Sequence, residues 1–247
     1  MKLRLGAAVL AAALLPLTTF LVPAPVSAGT VDTTPPTVGS CHALSWKQYM
    51  ARTEAAPAVD CSARHTSLTV RVTQLETAPT SWDDVYADEY VPCLKDAVQA
   101  TGGSAAKYQM TAYGVTFYRP TAAQIDAGAA WLRCDIVLIG GDEALAPVPQ
   151  DTVIGGARPS ADVRKCREGK RADYRLTVCT RPHKYVAYTT ARMRNRSYPG
   201  EKAAKRFAAR RCNDLIGGGG VFLYEWVTSR YSWRAGLRNA VCLPEDK

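Results

Sequence analysis

Two of the chain's three histidines follow a cysteine by four positions: Cys61 and His65 in "VDCSARH", Cys179 and His183 in "TVCTRPH". That pairing offers three readings. Two such pairs brought face to face would supply the four nitrogen and sulfur ligands of a zinc site. One pair with an orienting third group would supply the base and nucleophile of covalent catalysis. Both chemistries need a thiolate, which a disulfide-bonded cysteine cannot provide. The third reading is structural: each histidine braces a disulfide corner through a backbone carbonyl or a neighbouring side chain. The third is favoured here, because the cysteines of an exported chain are normally oxidised.

Other candidate chemistry is thinner. A serine triad would draw on His42, His65 or His183, but no Gly-x-Ser-x-Gly elbow accompanies them. The adjacent acids Asp83-Asp84 and Asp142-Glu143 suit glycoside hydrolysis in principle, yet adjacent acids in loops are ordinarily solvated surface. Gly217 to Gly220 follows a helical pattern instead of opening one, so it reads as a helix stop and not as a phosphate loop. Asn195-Arg196-Ser197 fits a glycosylation sequon, which carries little weight here. No catalytic residue, metal or cofactor is therefore expected. Two alternatives stand beside this: a secreted enzyme acting on cell-wall polymer, and a metal-binding protein using His65 and His183.

The compartment is read from the first residues and the cysteines. Lys2 and Arg4 precede an apolar run from Leu5 to Leu15, and Val26-Ser27-Ala28 is a small-x-Ala cleavage pattern. Residues 1–28 read as a signal peptide, with retention as a membrane anchor the competing reading. Pro16, Pro23 and Pro25 break the run, and no later stretch is long enough to span a bilayer, so no transmembrane anchor is expected after cleavage. The eight cysteines then form a disulfide framework in a secreted, extracellular or wall-associated protein.

The elements that position these residues recur. Taken in order, the cysteines fall into Cys41, Cys61, Cys93, Cys134 and Cys166, Cys179, Cys212, Cys242. The second and third of each set lie 32 and 33 residues apart, and Gly128 and Gly236 each precede the fourth by six. This reads as a tandem duplication: a first copy over residues 29–150, a second over 151–247, and a linker in Pro147 to Ala161. After each histidine comes an alternating strand, Leu68 to Val72 and Tyr185 to Thr189. A helix follows, Asp88 to Ala100 with Pro92 in its first turn, and Pro199 to Ile216. In the second helix Ala204, Ala208, Cys212, Leu215 and Ile216 mark the inner face. Strands are expected at Met110 to Tyr118 and Val221 to Val227. A loop with Gly128 or Gly236 and a last short strand carrying the fourth cysteine complete each copy. The fold class is α+β: two similar disulfide-stabilised domains, each a small antiparallel sheet with a helix on one face.

The third cysteine lies on the inner helix face and the fourth on a strand beneath it. Pairs Cys93–Cys134 and Cys212–Cys242 would staple helix to sheet, leaving Cys41–Cys61 and Cys166–Cys179 to close a terminal loop. Bridges between the copies stay possible but do not follow from the repeat.

These features resemble the septum formation family of actinobacterial exported or membrane-anchored proteins. The likeness lies in "VGSC" before the first pair, the two Cys-x-x-x-His strings, the helical Cys93 and Cys212, and "WRAGLRNAVC" from Trp233 to Cys242. Departures are Arg64 where the second copy has Pro182, and Ile125 where it has Trp233. The resemblance implies an envelope location and a link with division, and it supplies no catalytic residues.

Charge gives the positive clue. From Gly29 to Gln150 there are 8 Lys/Arg against 13 Asp/Glu, and from Asp151 to Lys247 there are 21 against 9. Arg164, Lys165, Arg167, Lys170 and Arg171 cluster near Cys166, Arg192, Arg194 and Arg196 alternate, and Lys202, Lys205, Arg206, Arg210 and Arg211 cover the second helix. No nucleic-acid motif accompanies them. The expectation is a non-catalytic envelope binding or scaffolding protein. Its basic second copy would contact anionic envelope polymer, lipid head groups or an acidic protein. Oligomeric state is left open.

Overall fold

The computed structural model describes residues 30–53, 57–169, 174–217 and 220–247. The expected signal peptide, residues 1–28, lies outside them, as do Lys170 and Arg171. Among the described residues no helix is long and apolar enough to cross a membrane. The protein is mixed α+β, with three antiparallel sheets among the described residues.

In chain order the first half contains β1 (Cys41–His42), α1 (Trp46–Ala51), β2 (Ser67–Gln74), α2 (Trp82–Asp88), α3 (Tyr90–Ala100), α4 (Ala105–Gln109), β3 (Tyr113–Tyr118), α5 (Ala122–Asp126), β4 (Trp131–Ile139) and β5 (Leu145–Ala146). The second half contains β6 (Lys165–Arg167), β7 (Leu176–Val178), β8 (Tyr185–Val186), β9 (Thr189–Arg192), α6 (Glu201–Ile216), β10 (Phe222–Glu225), α7 (Arg230–Arg234) and β11 (Asn239–Pro244).

The first sheet runs β1-β2-β4-β3, with β5 also on β4. Strand β4 is buried along almost its whole length, which an alternating strand permits only when both faces are covered. Cys134, Ile136 and Leu138 pack beneath α2 and α3. Val137 packs with Leu44, Trp46 and Tyr49 at α1. The expectation of a helix on one face is thus incomplete, because the short α1, closed by a capping box from Ser45 and Gln48, shields the other.

In the second half α6 lies over the sheet β10-β11-β9, and Ala204, Ala208 and Cys212 form its buried stripe. Leu215 departs from the expected inner face and is exposed. The fully buried stripe ends at Cys212 of the disulfide. The strand expected over Tyr185 to Thr189 is two pieces. β8 pairs with β6, β9 pairs with β11, and the chain changes partner at Ala187 and Tyr188, whose N–H groups donate to Lys165 and Cys242 carbonyls. β2 pairs with both its neighbours in one sheet, with an irregularity between Thr69 and Arg71.

Other boundaries differ by capping. The helix expected from Asp88 is split at Glu89, the C-cap of α2 and the N-cap of α3, with Pro92 in the first turn. β3 starts at Tyr113 because Ser104 caps the separate turn α4. The expected glycine loops hold one-turn helices, α5 and α7, capped by Thr121 and Ser229. Each leads into a glycine at positive φ, +96° at Gly128 and +94° at Gly236, where a Cβ would be strained.

The strand order β2-β4-β3 in the first half is matched by β9-β11-β10 in the second. The two halves nevertheless share a core. Leu94, Val98, Ile136 and Leu138 cluster with Val163, Val178, Ala235 and Leu237. The segment expected as a linker is pinned down: Val148 N–H donates to the His65 carbonyl at 3.0 Å, Thr152 Oγ1 to the Ala100 carbonyl at 2.8 Å, and Ile154 N–H to the Thr101 carbonyl at 3.1 Å. Across the halves, the Gln109 amide accepts from Asn239 Nδ2 at 2.7 Å and donates to the Asn239 carbonyl at 2.9 Å. Residues Val31–Lys247 form one compact unit.

A shared core predicts a single cooperative unfolding transition for both halves in urea. Asn239→Ala, which leaves the Gln109 amide underused beside a buried site, should cost about 1–3 kcal/mol, read as a lower midpoint with unchanged slope.

Candidate functional site: the cysteine–histidine corners and the basic helix

Four disulfides join Cys41–Cys61, Cys93–Cys134, Cys166–Cys179 and Cys212–Cys242, the same pairs the repeat scheme gives. Two tie a helix to the strand beneath it, and two close the corners that hold the histidines. No free cysteine occurs among the described residues.

The corners are alike in detail. His65 Nδ1 lies 2.9 Å from the Ala63 carbonyl, and His183 Nδ1 lies 2.7 Å from the Arg181 carbonyl. A carbonyl only accepts, so Nδ1 carries the hydrogen in both. Each ring thereby closes a tight turn onto the backbone two residues before it. His65 is buried, and its own carbonyl receives Val148 N–H. His183 is more open, and its Nε2 faces Asp246 Oδ2 at 3.1 Å. With Nδ1 already donating, that second contact is a hydrogen bond only in the doubly protonated ring.

Metal ligation has one geometric candidate among the described residues, Cys166, Cys179 and His183, whose ligand atoms lie within 4.8 Å of one another. It contains one of the two histidines, and its sulfurs are bonded to each other, so it offers an imidazole without thiolates. His183 also lines a cleft of about 740 Å³ with Gly140, Asp142, Glu168, Lys184 and Glu245. Two ion pairs lie in and around it: Asp142 with Arg175, and Lys184 with Glu245 at 3.3 Å. Gly140 lets the Arg181 guanidinium reach its carbonyl, since a Cβ there would meet Ala146 N at 2.9 Å. Asp83 and Asp84 sit exposed in the first turn of α2, where carboxylates favour the helix dipole.

Trp233 is a core residue, packed with Met193, Ala204 and Val227, with Arg238 over its ring at 5.1 Å. Ile125, its first-half counterpart, is only half-buried.

The basic residues separate into groups with different fates. Lys165 and Arg167 flank Glu225 at 2.8 and 2.5 Å. Burial works to raise the Glu225 carboxyl, but the two cations overcome it and hold the carboxyl at about 2. Arg164 donates to the Pro159 carbonyl. Arg192 and Arg194 are exposed while Ala191 and Met193 face α6, so strand alternation sends these two arginines to the far side of the sheet from the helix. Lys202, Lys205, Arg206, Arg210 and Arg211 are exposed along α6. Arg211 pairs with Asp214, and Lys205 lies over the Trp226 ring at 5.0 Å. Lys202, Arg206 and Arg210 have no ion pair among the described residues.

One polar cluster escaped the sequence reading. Arg133 and Asp135 are both buried on β4 and lie 3.1 Å apart. Ser67 and Thr69 hydroxyls donate to Asp135 at 2.7 and 2.9 Å. Burial raises the Asp135 carboxyl above its ordinary range, opposed by Arg133 and the two hydroxyls. Arg133 stacks 4.5 Å over Tyr118 and its Nη1 donates to His42 Nε2 at 3.2 Å. The signal was present in "WLRCDIVLI": charges two apart in an otherwise apolar strand share one face.

Glu225, depressed from 4.5, contributes stability that is fully present above about pH 4.5 and lost as pH falls through about 2. Glu225→Gln should remove about 1–3 kcal/mol at neutral pH and flatten this acid limb of a urea-monitored stability profile. Asp135→Ala, which strands a buried guanidinium, should cost about 3–5 kcal/mol in the same measurement.

The family model described as "Septum formation" matches residues 38–242. No curated protein and no solved structure gives a match.

Proposed function

The chain belongs to the septum formation family, whose model spans residues 38–242, and from that premise we propose a non-catalytic binding or scaffolding role at the cell envelope. The observation that carries it is the outer face of α6. Five cations are exposed there, four of them without an ion pair among the described residues, and one of those four, Lys205, lies over the Trp226 ring. The helix is fixed to its sheet by Cys212–Cys242. A rigid helix that presents unneutralised cations pays little ordering entropy on binding an anionic surface. Its partner in this reading is an anionic envelope polymer, a lipid head-group surface or an acidic protein. No nucleic acid and no cofactor enters it.

Four disulfides point to an oxidising, extracytoplasmic location, and secretion to the wall is the specific form proposed here. The two-copy origin belongs to the same proposal. It is supported by the matching strand orders, the paired disulfides and the Nδ1–carbonyl contact that recurs in both corners. The absence of catalysis is supported by the oxidised cysteines and by imidazoles committed to the backbone.

Binding to purified anionic wall polymer or to anionic vesicles should weaken steeply with salt, because surface charges are screened beyond about 10 Å at 0.1 M. Neutralising Lys202, Arg206 and Arg210 to Gln should weaken it about a hundredfold, at roughly 1 kcal/mol per cation near an anionic surface, in a sedimentation assay. Affinity that ignores both salt and the triple substitution would sink the proposal.

A further inference from the structure

A second cleft, of about 280 Å³, opens on the polar face of β4. Its roof is the segment Asp32–Thr37, held by Gln124 Nε2 donating to the Asp32 carbonyl at 3.0 Å. Its walls include Ser40, Trp131 and Arg133. Trp131 and Arg133 are 2% and 1% exposed, and neither Trp131 Nε1 nor Arg133 Nη2 has a hydrogen-bond partner. An unsatisfied buried donor costs free energy, and two bordering one cavity invite an acceptor.

The neighbours narrow its chemistry. Nε1 and Nη2 only donate, so the ligand must present acceptor oxygens. Elsewhere on the guanidinium, Nε is ion-paired with Asp135 at 3.1 Å and Nη1 donates to His42 at 3.2 Å. Asp135 divides its charge among Arg133, Ser67 and Thr69, which leaves the guanidinium short of a counter-charge on its open side. Asp32 stands exposed at the rim, a negative charge that opposes a dianion more than a monoanion. Pro35, Pro36, Pro57 and Ala58 add an apolar part to the wall, beside the polar Thr34, Thr37, His42 and Gln124. The volume lies just under the roughly 300 Å³ at which drug-sized pockets begin.

We propose that this cleft is a carboxylate-binding site: a small organic acid, or the free carboxylate end of a peptide, accepts from Arg133 Nη2 and Trp131 Nε1. The two oxygens of a carboxylate let it accept from two separate donors at once, one from Nη2 and one from Nε1.

The test is a titration of the oxidised protein, followed in a proton–nitrogen correlation spectrum by the Trp131 indole signal. The protein has five tryptophans, so Trp131→Phe assigns the peak. Acetate and N-acetylalanine are the probes, and acetamide and inorganic phosphate the controls. The expected result is a saturable shift with at least one of the two carboxylates, and a weaker response to acetamide and phosphate. The tighter carboxylate identifies the source, a small acid or a chain end. In Trp131→Phe, followed at the Thr37 and Ser40 amides, carboxylate affinity should fall about tenfold, the loss of one hydrogen bond to a charged group. This variant keeps the buried Arg133–Asp135 pair and so preserves the fold. If ordered water alone satisfies the two donors, neither acid gives a saturable shift, and the proposal fails. It fails equally if acetamide matches the carboxylates, or if Trp131→Phe binds them unchanged.

Discussion

Strand β4 must satisfy two incompatible faces, and the first half is arranged around that constraint. One face carries Cys134, disulfide-bonded to Cys93 of α3, and packs as ordinary apolar core. The other carries Arg133 and Asp135, which are almost wholly sealed from water. A buried ion pair gives little net stability, but breaking it is costly. Its presence therefore dictates what surrounds it. Ser67 and Thr69 must sit opposite on β2, the Tyr118 ring must lie under the guanidinium, and His42 must accept from it. That acceptance requires an unprotonated Nε2 at His42. β1, which carries His42, is anchored by Cys41–Cys61, so the first corner disulfide also serves the buried pair.

In the second half the central strand itself carries no charge, and Glu225 beside it on β10 is paired with Lys165 and Arg167. β11 carries Cys242, bonded to α6, and its other-face residues Val241 and Leu243 are apolar. They pack with Met110 of the first half and with Tyr185 and Ala187. The face that holds a polar network in one half is a docking surface in the other. This explains why the halves share one core despite matching strand orders.

Residues whose meaning is local were readable from the sequence. The disulfide pairs followed from Cys93 and Cys212 lying on inner helix faces, above strands that carry Cys134 and Cys242. Beside oxidised cysteines the histidines read as braces through a carbonyl or a neighbouring side chain, and the structure gives the carbonyl in both corners. What the sequence hid depends on tertiary partners. Tyr185 to Thr189 alternates as one strand, yet it splits because β6 draws one end and β11 the other. Pro147 to Ala161 has the composition of a linker, but Val148 and Ile154 are buried because first-half carbonyls need their N–H groups. Leu215 continues the apolar period of α6 yet is exposed. Arg133 and Asp135 were missed because charged residues are read as surface unless both faces of their strand are known to be covered.

The same logic sorts the surplus of positive charge. A net count cannot distinguish cations that hold the protein together from cations that face a partner. Lys165 and Arg167 belong to the first kind, because Glu225 on β10 lies between them and joins the small β6 sheet to the β11 sheet. Their charge is spent inside the molecule. Arg192 and Arg194 are divided from α6 by strand alternation, so they cannot act with it on one flat surface. The α6 cations remain as the group that is exposed, on one helix and held rigidly by a disulfide. Of these basic groups, all among the described residues, the α6 face is therefore the one left for the proposed contact.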